Sequence, residues 1–351
     1  MHKDEQSRKL ERLRRHLKDG TTDLSPHSLK VPASHYTSEA QNAVEIELMF
    51  KKRPLLVALT PHIPNQGDYL THEAIDTSLL LVRDREDKAR AYINACRHRG
   101  ARLVEGKGHK ASFSCPFHAW NWGLDGKIIA RPNSHEGFAA ADDCFDRLVE
   151  LPCYEIAGLI FVLLEGEDIE LKVHALMGAS LLDIENYNIS ETKHIDSRTT
   201  ELACNYKFFL DGFAETYHIA SLHKETISPF YYSNSTLVDQ LGEVVHLVSP
   251  RKTIDKEFEK TQSEQGAILP YCTTEYLLAP NVLLTHQVDH IQFWTAYPVD
   301  GANRCRIELN VFWPNPMDDE AERKAKLNVD LVWQVTTEED FPQSVAIHRN
   351  L

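Results

Sequence analysis

Basic residues are in the minority in this chain. Thirty-eight lysines and arginines face 52 aspartates and glutamates, a formal net charge of −14. A nucleic-acid binder needs a basic face to neutralise phosphates, so that class is disfavoured, as is docking on an anionic membrane surface. Long apolar runs are missing too. No 18 consecutive apolar residues occur, and no transmembrane helix is expected. No apolar segment of the secretory kind follows Met1-His2-Lys3-Asp4-Glu5-Gln6. Cysteine is sparse, with seven residues at 96, 115, 144, 153, 204, 272 and 305. An odd count spread this thinly does not read as a disulfide framework and points to a reducing, cytoplasmic compartment. Low-complexity tracts are absent, so disorder is not expected. No Gly-rich nucleotide-binding fingerprint is evident either.

What is present suggests two domains. The chain has 351 residues, 42% of them hydrophobic, enough for a substantial core. Residues 4–18 are charge-rich, with Leu10, Leu13 and Leu17 at helical spacing. This reads as a surface helix, a solvated arm that packs loosely or aids assembly. From residue 54 the texture becomes strand-like. Leu55–Leu59, Ser78–Val82, Ala91–Ile93 and Gly158–Leu164 are short apolar runs separated by turn-rich pieces such as Pro64-Asn65-Gln66-Gly67-Asp68. Beyond Glu165 the pattern mixes. Residues 170–186 and 206–223 read as helices, and strand-like runs follow at 243–248, 282–288, 291–297 and 304–313. A last long helix is expected to begin at Asn315-Pro316, with proline at its first position and Asp318, Asp319 and Glu320 in its first turn. The expected organisation is a helical arm over 1–49 packing on the last domain, an all-β domain over 50–165 and an α+β domain over 166–351, an antiparallel sheet backed by helices.

Two constellations carry chemistry. The first is Cys96-Arg97-His98 followed by Cys115-Pro116-Phe117-His118, a C-x-H…C-x-x-H pattern in which each half follows a short strand and enters a turn. In a Rieske-type [2Fe–2S] centre, two thiolates bind one iron and two imidazoles the other. Two facing loops that each offer one Cys and one His meet that demand. Structural zinc is the alternative for the same residue types, although zinc sites usually group Cys with Cys and His with His. His109 and His135 fit neither pattern and read as ordinary surface histidines.

The second constellation is Glu215-Thr216-Tyr217-His218-Ile219-Ala220-Ser221-Leu222-His223. Two histidines five apart would point about 140° from each other on a straight helix. They can share one ion only if the helix ends, kinks or bulges between them. Otherwise they are two unrelated histidines.

Both constellations resemble one family. Cys96-Arg97-His98-Arg99-Gly100 and Cys115-Pro116-Phe117-His118-Ala119-Trp120 are similar to the C-x-H-R-G and C-P-Y-H-G-W loops of Rieske-type non-haem iron ring-hydroxylating oxygenases. Phe117 replaces the usual tyrosine and Ala119 the usual glycine. The stretch from Asn205-Tyr206-Lys207 to His218 and His223 resembles the family's iron-binding block. The resemblance implies the oxygenase (α) component, with a helix-grip-like catalytic domain. It implies a [2Fe–2S] cluster on Cys96, His98, Cys115 and His118, and mononuclear Fe(II) on His218, His223 and Asp340, with Glu339 as the alternative third ligand. It implies that Glu215 bridges His218 to His118 of a neighbouring subunit, and it suggests a place for Asp211 near the iron. It also implies an NAD(P)H-dependent reductase, possibly with a ferredoxin, and a homotrimer. The expected activity is hydroxylation of a small aromatic substrate with O2. A monooxygenase or N-demethylase of a quaternary amine is the alternative, because Glu rather than Asp at 215 resembles that group. A Rieske electron carrier without oxygenase activity is the rival from another class. Phe208, Phe209, Phe230, Tyr231, Tyr232 and Phe293 are candidates for an aromatic pocket or for core.

Overall fold

The computed structural model describes Met1 and residues 3–133, 145–260 and 266–351. Cys144 and His135 lie outside the described residues. Two compact units emerge, Ile46–His174 and the combination of Met1–Glu45 with Ala175–Leu351. The divisions at 45/46 and 174/175 stand beside the 49/50 and 165/166 read from the sequence.

The Ile46–His174 unit is built from short antiparallel strands. Strands β2 (Asp68–Ala74), β3 (Thr77–Arg83), β4 (Ala89–Ile93), β5 (Lys107–His109) and β9 (Glu150–Leu151) form one sheet in the order β5-β2-β3-β4-β9. A three-stranded sheet holds β1 (Leu55–Leu59), β10 (Cys153–Ile156) and β11 (Leu159–Val162), and another holds β6 (Ser112–Ser114), β7 (Asn121–Gly123) and β8 (Ile128–Ala130). Leu80, Tyr92, Phe113, Trp120 and Trp122 pack into one core that includes Cys96 and Cys115. The two cysteines are therefore fixed by the hydrophobic interior. His109 is an ordinary surface residue, hydrogen-bonded to Asp68 at 3.0 Å.

The other unit is a seven-stranded antiparallel sheet with helices. Its strands are β12 (Thr192–Leu202), β13 (Leu237–Leu241), β14 (Val244–Pro250), β15 (Cys272–Leu278), β16 (Val282–Gln287), β17 (His290–Pro298) and β18 (Cys305–Pro314), in the order β12-β18-β17-β16-β15-β14-β13. Helix α1 (Lys3–Asp19) is not a loose arm. Leu10 and Leu13 are buried with Leu237, Val248 and Cys272, and the buried Lys9 ammonium pairs with Asp239. The helix read over 170–186 is two pieces, α2 (Ile169–Met177) and α3 (Ser180–Glu185), parted at Gly178. Gly178 has φ +50° and meets the Gly242 backbone at 3.1 Å from where a Cβ would stand, so a side chain has neither the conformation nor the room.

The segment 206–223 is also divided. Helix α4 (Lys207–Phe213) stops, and a one-turn helix α5 (Ile219–Leu222) follows, with His218 as its N-cap and His223 as its C-cap. The last helix starts later than expected. Asp318 is the N-cap of α6 (Asp319–Val335), accepting from the Ala321 N–H at 2.8 Å, and Asn315-Pro316 stands in the turn before it. Its side chain satisfies an otherwise orphaned donor, which proline at the start would only have removed. A π-turn over Thr336–Asp340 leads into α7 (Phe341–Arg349). Trp294 on β17 packs against Phe209, Phe213 and Trp333, tying α4 and α6 to the sheet.

Candidate metal centres and substrate cavity

The two Cys–His loops are built alike. In the first, the Cys96 N–H donates to the Ala101 carbonyl and the Gly100 N–H to the Cys96 carbonyl, both at 2.8 Å. In the second, the Cys115 N–H donates to the Trp120 carbonyl at 2.8 Å and the Ala119 N–H to the Cys115 carbonyl at 2.9 Å. The fourth residue after each cysteine takes a positive φ, +74° at Gly100 and +57° at Ala119. The family's glycine is thus a requirement of the turn, and Ala119 meets it at a steric cost.

Both cysteines are buried, whereas His98 is half-buried and His118 exposed, with ring centroids 4.7 Å apart. Trp120 stacks on His98 at 4.8 Å. Burial pushes the Cys96 thiol up and the neighbouring Cys115 adds to this, while the backbone N–H of His98 pulls the other way. A zinc ion would need its donor atoms within about 4 Å of one another. Among the described residues, only His218, His223 and Asp340 bring three ligating atoms within 4.8 Å of each other. Sulfur donors inside and imidazoles at the rim suit a two-iron cluster.

The second site answers the spacing problem twice. The break after α4 places the histidines at opposite ends of one helical turn, with rings 5.1 Å apart. The π-turn is found on the other chain segment, where it presents Glu339 and Asp340 together. Asp340 Oδ1 lies 3.1 Å from His223 Nε2 and 3.7 Å from His218 Nε2. The Nδ1 atoms face other carboxylates: Glu215 Oε1 is 2.5 Å from His218 Nδ1, and Glu339 Oε2 is 2.6 Å from His223 Nδ1. A carboxylate on Nδ1 fixes the N–H there and leaves the Nε2 lone pair for a metal. Burial lowers the His223 pKa, but Asp340 and Glu339 outweigh it and hold the imidazole above its ordinary value. This donor set, two imidazoles and one carboxylate, fits Fe(II) with positions left open. Glu339, read as the alternative third ligand, instead backs a histidine.

Asp211 does not join them. It is exposed on α4, accepts a hydrogen bond from Tyr36 Oη at 2.8 Å, and does not line the cavity beside the triad. The suggested placement near the iron is thereby corrected, because the helix turns that side chain toward the N-terminal segment.

The triad opens on a cavity of about 680 Å³. Of the six aromatics read as pocket or core, Phe208, Phe209, Phe230 and Tyr231 line it, while Phe293 is buried in the core and Tyr232 lies outside the lining. Its floor is the sheet, whose cavity face is polar. Cross-strand partners make two rows, Ser249–Thr273–Gln287–His290 and Leu247–Glu275–Thr285–Gln292. All but Leu247 line the cavity. Glu275 and His290 escaped sequence reading. Their only signal is an ionisable residue in an otherwise apolar strand pattern.

Comparison with known proteins agrees with this architecture. A Rieske [2Fe-2S] domain model matches residues 54–155, and a model of the ring hydroxylating alpha subunit catalytic domain matches 185–351. The chain belongs to the Rieske-type ring-hydroxylating oxygenase alpha subunits, whose catalytic domain binds mononuclear iron. The carnitine monooxygenase oxygenase subunit of Escherichia coli (strain K12) is 32% identical over 219 residues, 62% of this chain and 56% of that protein. The glycine betaine monooxygenase oxygenase subunit of Pseudomonas aeruginosa (strain UCBPP-PA14) is 28% identical over 202 residues, 57% of this chain and 46% of that one. The chain spans about half the length of the curated relatives it matches. Its fold is that of the quaternary ammonium Rieske monooxygenase CntA, with a TM-score of 0.79, 20% identity, and coverage of 91% of this chain and 84% of that one. Naphthalene 1,2-dioxygenase from Rhodococcus sp. shares the fold at a TM-score of 0.74, 16% identity, and coverage of 97% and 84%.

Proposed function

We propose that this chain is the oxygenase component of a monooxygenase acting on a small amine-bearing substrate. The observation that carries the reading is the convergence of His218, His223 and Asp340 on one point at the wall of a substrate-sized cavity. In this reading Cys96, His98, Cys115 and His118 hold the cluster. The amine follows from the named relatives, carnitine and glycine betaine monooxygenases, which favour the quaternary-amine alternative over an aromatic substrate. The reaction balances as R–H + O2 + 2e⁻ + 2H⁺ → R–OH + H2O. Iron, when bound, supplies the oxygen chemistry, with electrons from the cluster. The protein's residues do the rest. Glu215 and Glu339 hold the two imidazoles in the tautomer that offers Nε2. Phe208, Phe209, Phe213 and Phe230 provide apolar walls that limit water at the reacting carbon. Electrons reach the chain from NAD(P)H through a cytoplasmic reductase, with or without a ferredoxin. In this reading Glu215, exposed beside His218, joins it to His118 of a neighbouring copy in a homotrimer.

The test is His218→Ala. Iron is expected to fall from about three to about two atoms per chain, with the cluster's visible spectrum retained and substrate-dependent O2 uptake abolished. Unchanged iron content and O2 uptake would overturn the oxygenase reading in favour of an electron carrier.

A further inference from the structure

The cavity floor holds a carboxylate with nothing to neutralise it. Glu275 sits in the middle of β15, with Leu247 and Thr285 as its neighbours across the sheet. It is half-buried and lines the cavity. Among the described residues no hydrogen-bond donor or cation is paired with its side chain. Other enclosed acids of this unit differ. Glu45 meets Lys207 and Tyr206, and Glu257 meets Lys260 and two backbone N–H groups. Of the cations that line the cavity, Lys256 is exposed to solvent, and the other two are already engaged. Arg251 donates to Tyr231 Oη at 3.0 Å and to Gln287 Oε1 at 2.7 Å, and Lys252 donates to the Ser228 carbonyl at 2.9 Å.

A carboxylate left unpaired there is costly, and a glutamine or leucine would serve the fold better. Its neighbour Thr285 also keeps an unpartnered, buried hydroxyl. We propose that Glu275 is the cation anchor of this cavity, receiving the ammonium group of the substrate while the aromatic walls enclose the rest. Phe230 and Tyr231 line the same space and add ring faces suited to a cation. The inference rests on the cavity being the substrate site of an oxygenase, and it makes Glu275 a specificity-determining residue.

Burial pushes the Glu275 carboxyl up to about 8. The titratable and charged groups lining the cavity with it are Glu215, Tyr231, Arg251, Tyr271, His290 and the triad, with Lys252 and Lys256 toward solvent. At neutral pH the empty anchor holds a proton that a cation must displace. Apparent affinity for a permanent cation therefore rises about tenfold per pH unit up to about pH 8, then levels.

The experiment measures binding by calorimetry to the iron-loaded protein, so its readout is independent of turnover. The probes are choline, glycine betaine and putrescine, with 3,3-dimethyl-1-butanol as the neutral counterpart of choline. Wild-type protein is expected to bind at least one cation tenfold or more tightly than the neutral probe, with the stated pH slope for choline or glycine betaine. Glu275→Gln is expected to lose tenfold or more for that cation and to lose the slope, while keeping the neutral probe's affinity and about three irons per chain. Glu275→Asp should recover part of the loss. The proposal is overturned if no cation binds better to wild type than to Glu275→Gln, or if wild type shows no pH slope. Cation binding that depends on Glu275 without O2 uptake would retain the anchor and reject the oxygenase reading. O2 uptake driven only by neutral substrates would do the reverse.

Discussion

The histidines of the two centres stand in opposite fields. At the Cys–His loops, partial burial, the neighbouring His118 and Arg99 all lower the His98 pKa. At the triad, burial opposes but Asp340 and Glu339 raise that of His223. His98 has the Arg99 guanidinium beside it, whereas each histidine of the triad is backed by a carboxylate. The residue type is the same, and its surroundings decide what it does. A cluster that accepts electrons gains from a positive setting, since neutral imidazole ligands and nearby positive charge raise its potential. A divalent ion held by only three protein groups gains from carboxylates on the far side of its histidines, which make the ligand nitrogens more basic.

The comparison breaks most visibly at the clasping carboxylates. Glu339→Gln is expected to lower iron affinity 10- to 100-fold at the triad, measured by iron titration of metal-free protein, and to leave the cluster's spectrum unchanged. Glu215→Gln should act in the same direction on iron. It should also slow re-oxidation of the reduced cluster by O2 and substrate in stopped flow, which Glu339→Gln should not. Equal re-oxidation rates in the two variants would remove Glu215 from the electron route.

A third histidine sharpens the contrast, because no metal is involved. His246 is buried, stacks on Tyr276 at 4.4 Å and lies 3.5 Å from Lys9 Nζ. Burial first, then the Lys9 charge, push its pKa down to about 3. The folded state refuses a proton that the unfolded state accepts below about pH 6.5. Stability is therefore whole above that pH and lost as pH falls toward 3. The group should account for about 1 kcal/mol between pH 6.5 and 5.5. Denaturant unfolding of His246→Phe should show that slope removed. Asp23 and Asp239, held below the carboxylate range by their partners, add their own losses only at lower pH.

How legible these sites were in the sequence follows from their chain separation. Cys96 to His118 is one short segment, and its spacing alone nearly defines a cluster. His218 and His223 were readable as a pair, but their orientation was not, because Gly212, at the end of the helix that stops at Phe213, is a weak signal that does not by itself place a break. Asp340 was named through family likeness, and the π-turn that delivers it beside Glu339 leaves no mark in residue type. The strands β12, β13 and β15 were missed because alternation on a half-polar sheet face weakens the apolar run that marks a strand. Glu275 was lost with β15, since an acid in a strand reads as solvent-facing until the sheet is seen to floor a cavity.

The smallest expected effect lies inside the cluster unit, where the two loops form their own internal comparison. They repeat the same two backbone hydrogen bonds at the same offsets, yet one has Gly100 and the other Ala119 at the left-handed position. For an L-residue that conformation costs about 1–2 kcal/mol, part of which glycine gives back as extra freedom in the unfolded chain. Ala119→Gly is therefore expected to stabilise the unit by about 0.5–1 kcal/mol. The gain should appear as a higher midpoint of thermal loss of the cluster's visible absorbance. The opposite change, Gly100→Ala, should lower that midpoint by a similar amount, since no atom lies within 4 Å of where its Cβ would stand and only the backbone objects. If Ala119→Gly instead lowers the midpoint, the methyl group stabilises its loop, and the two turns are not equivalent despite their shared bonds.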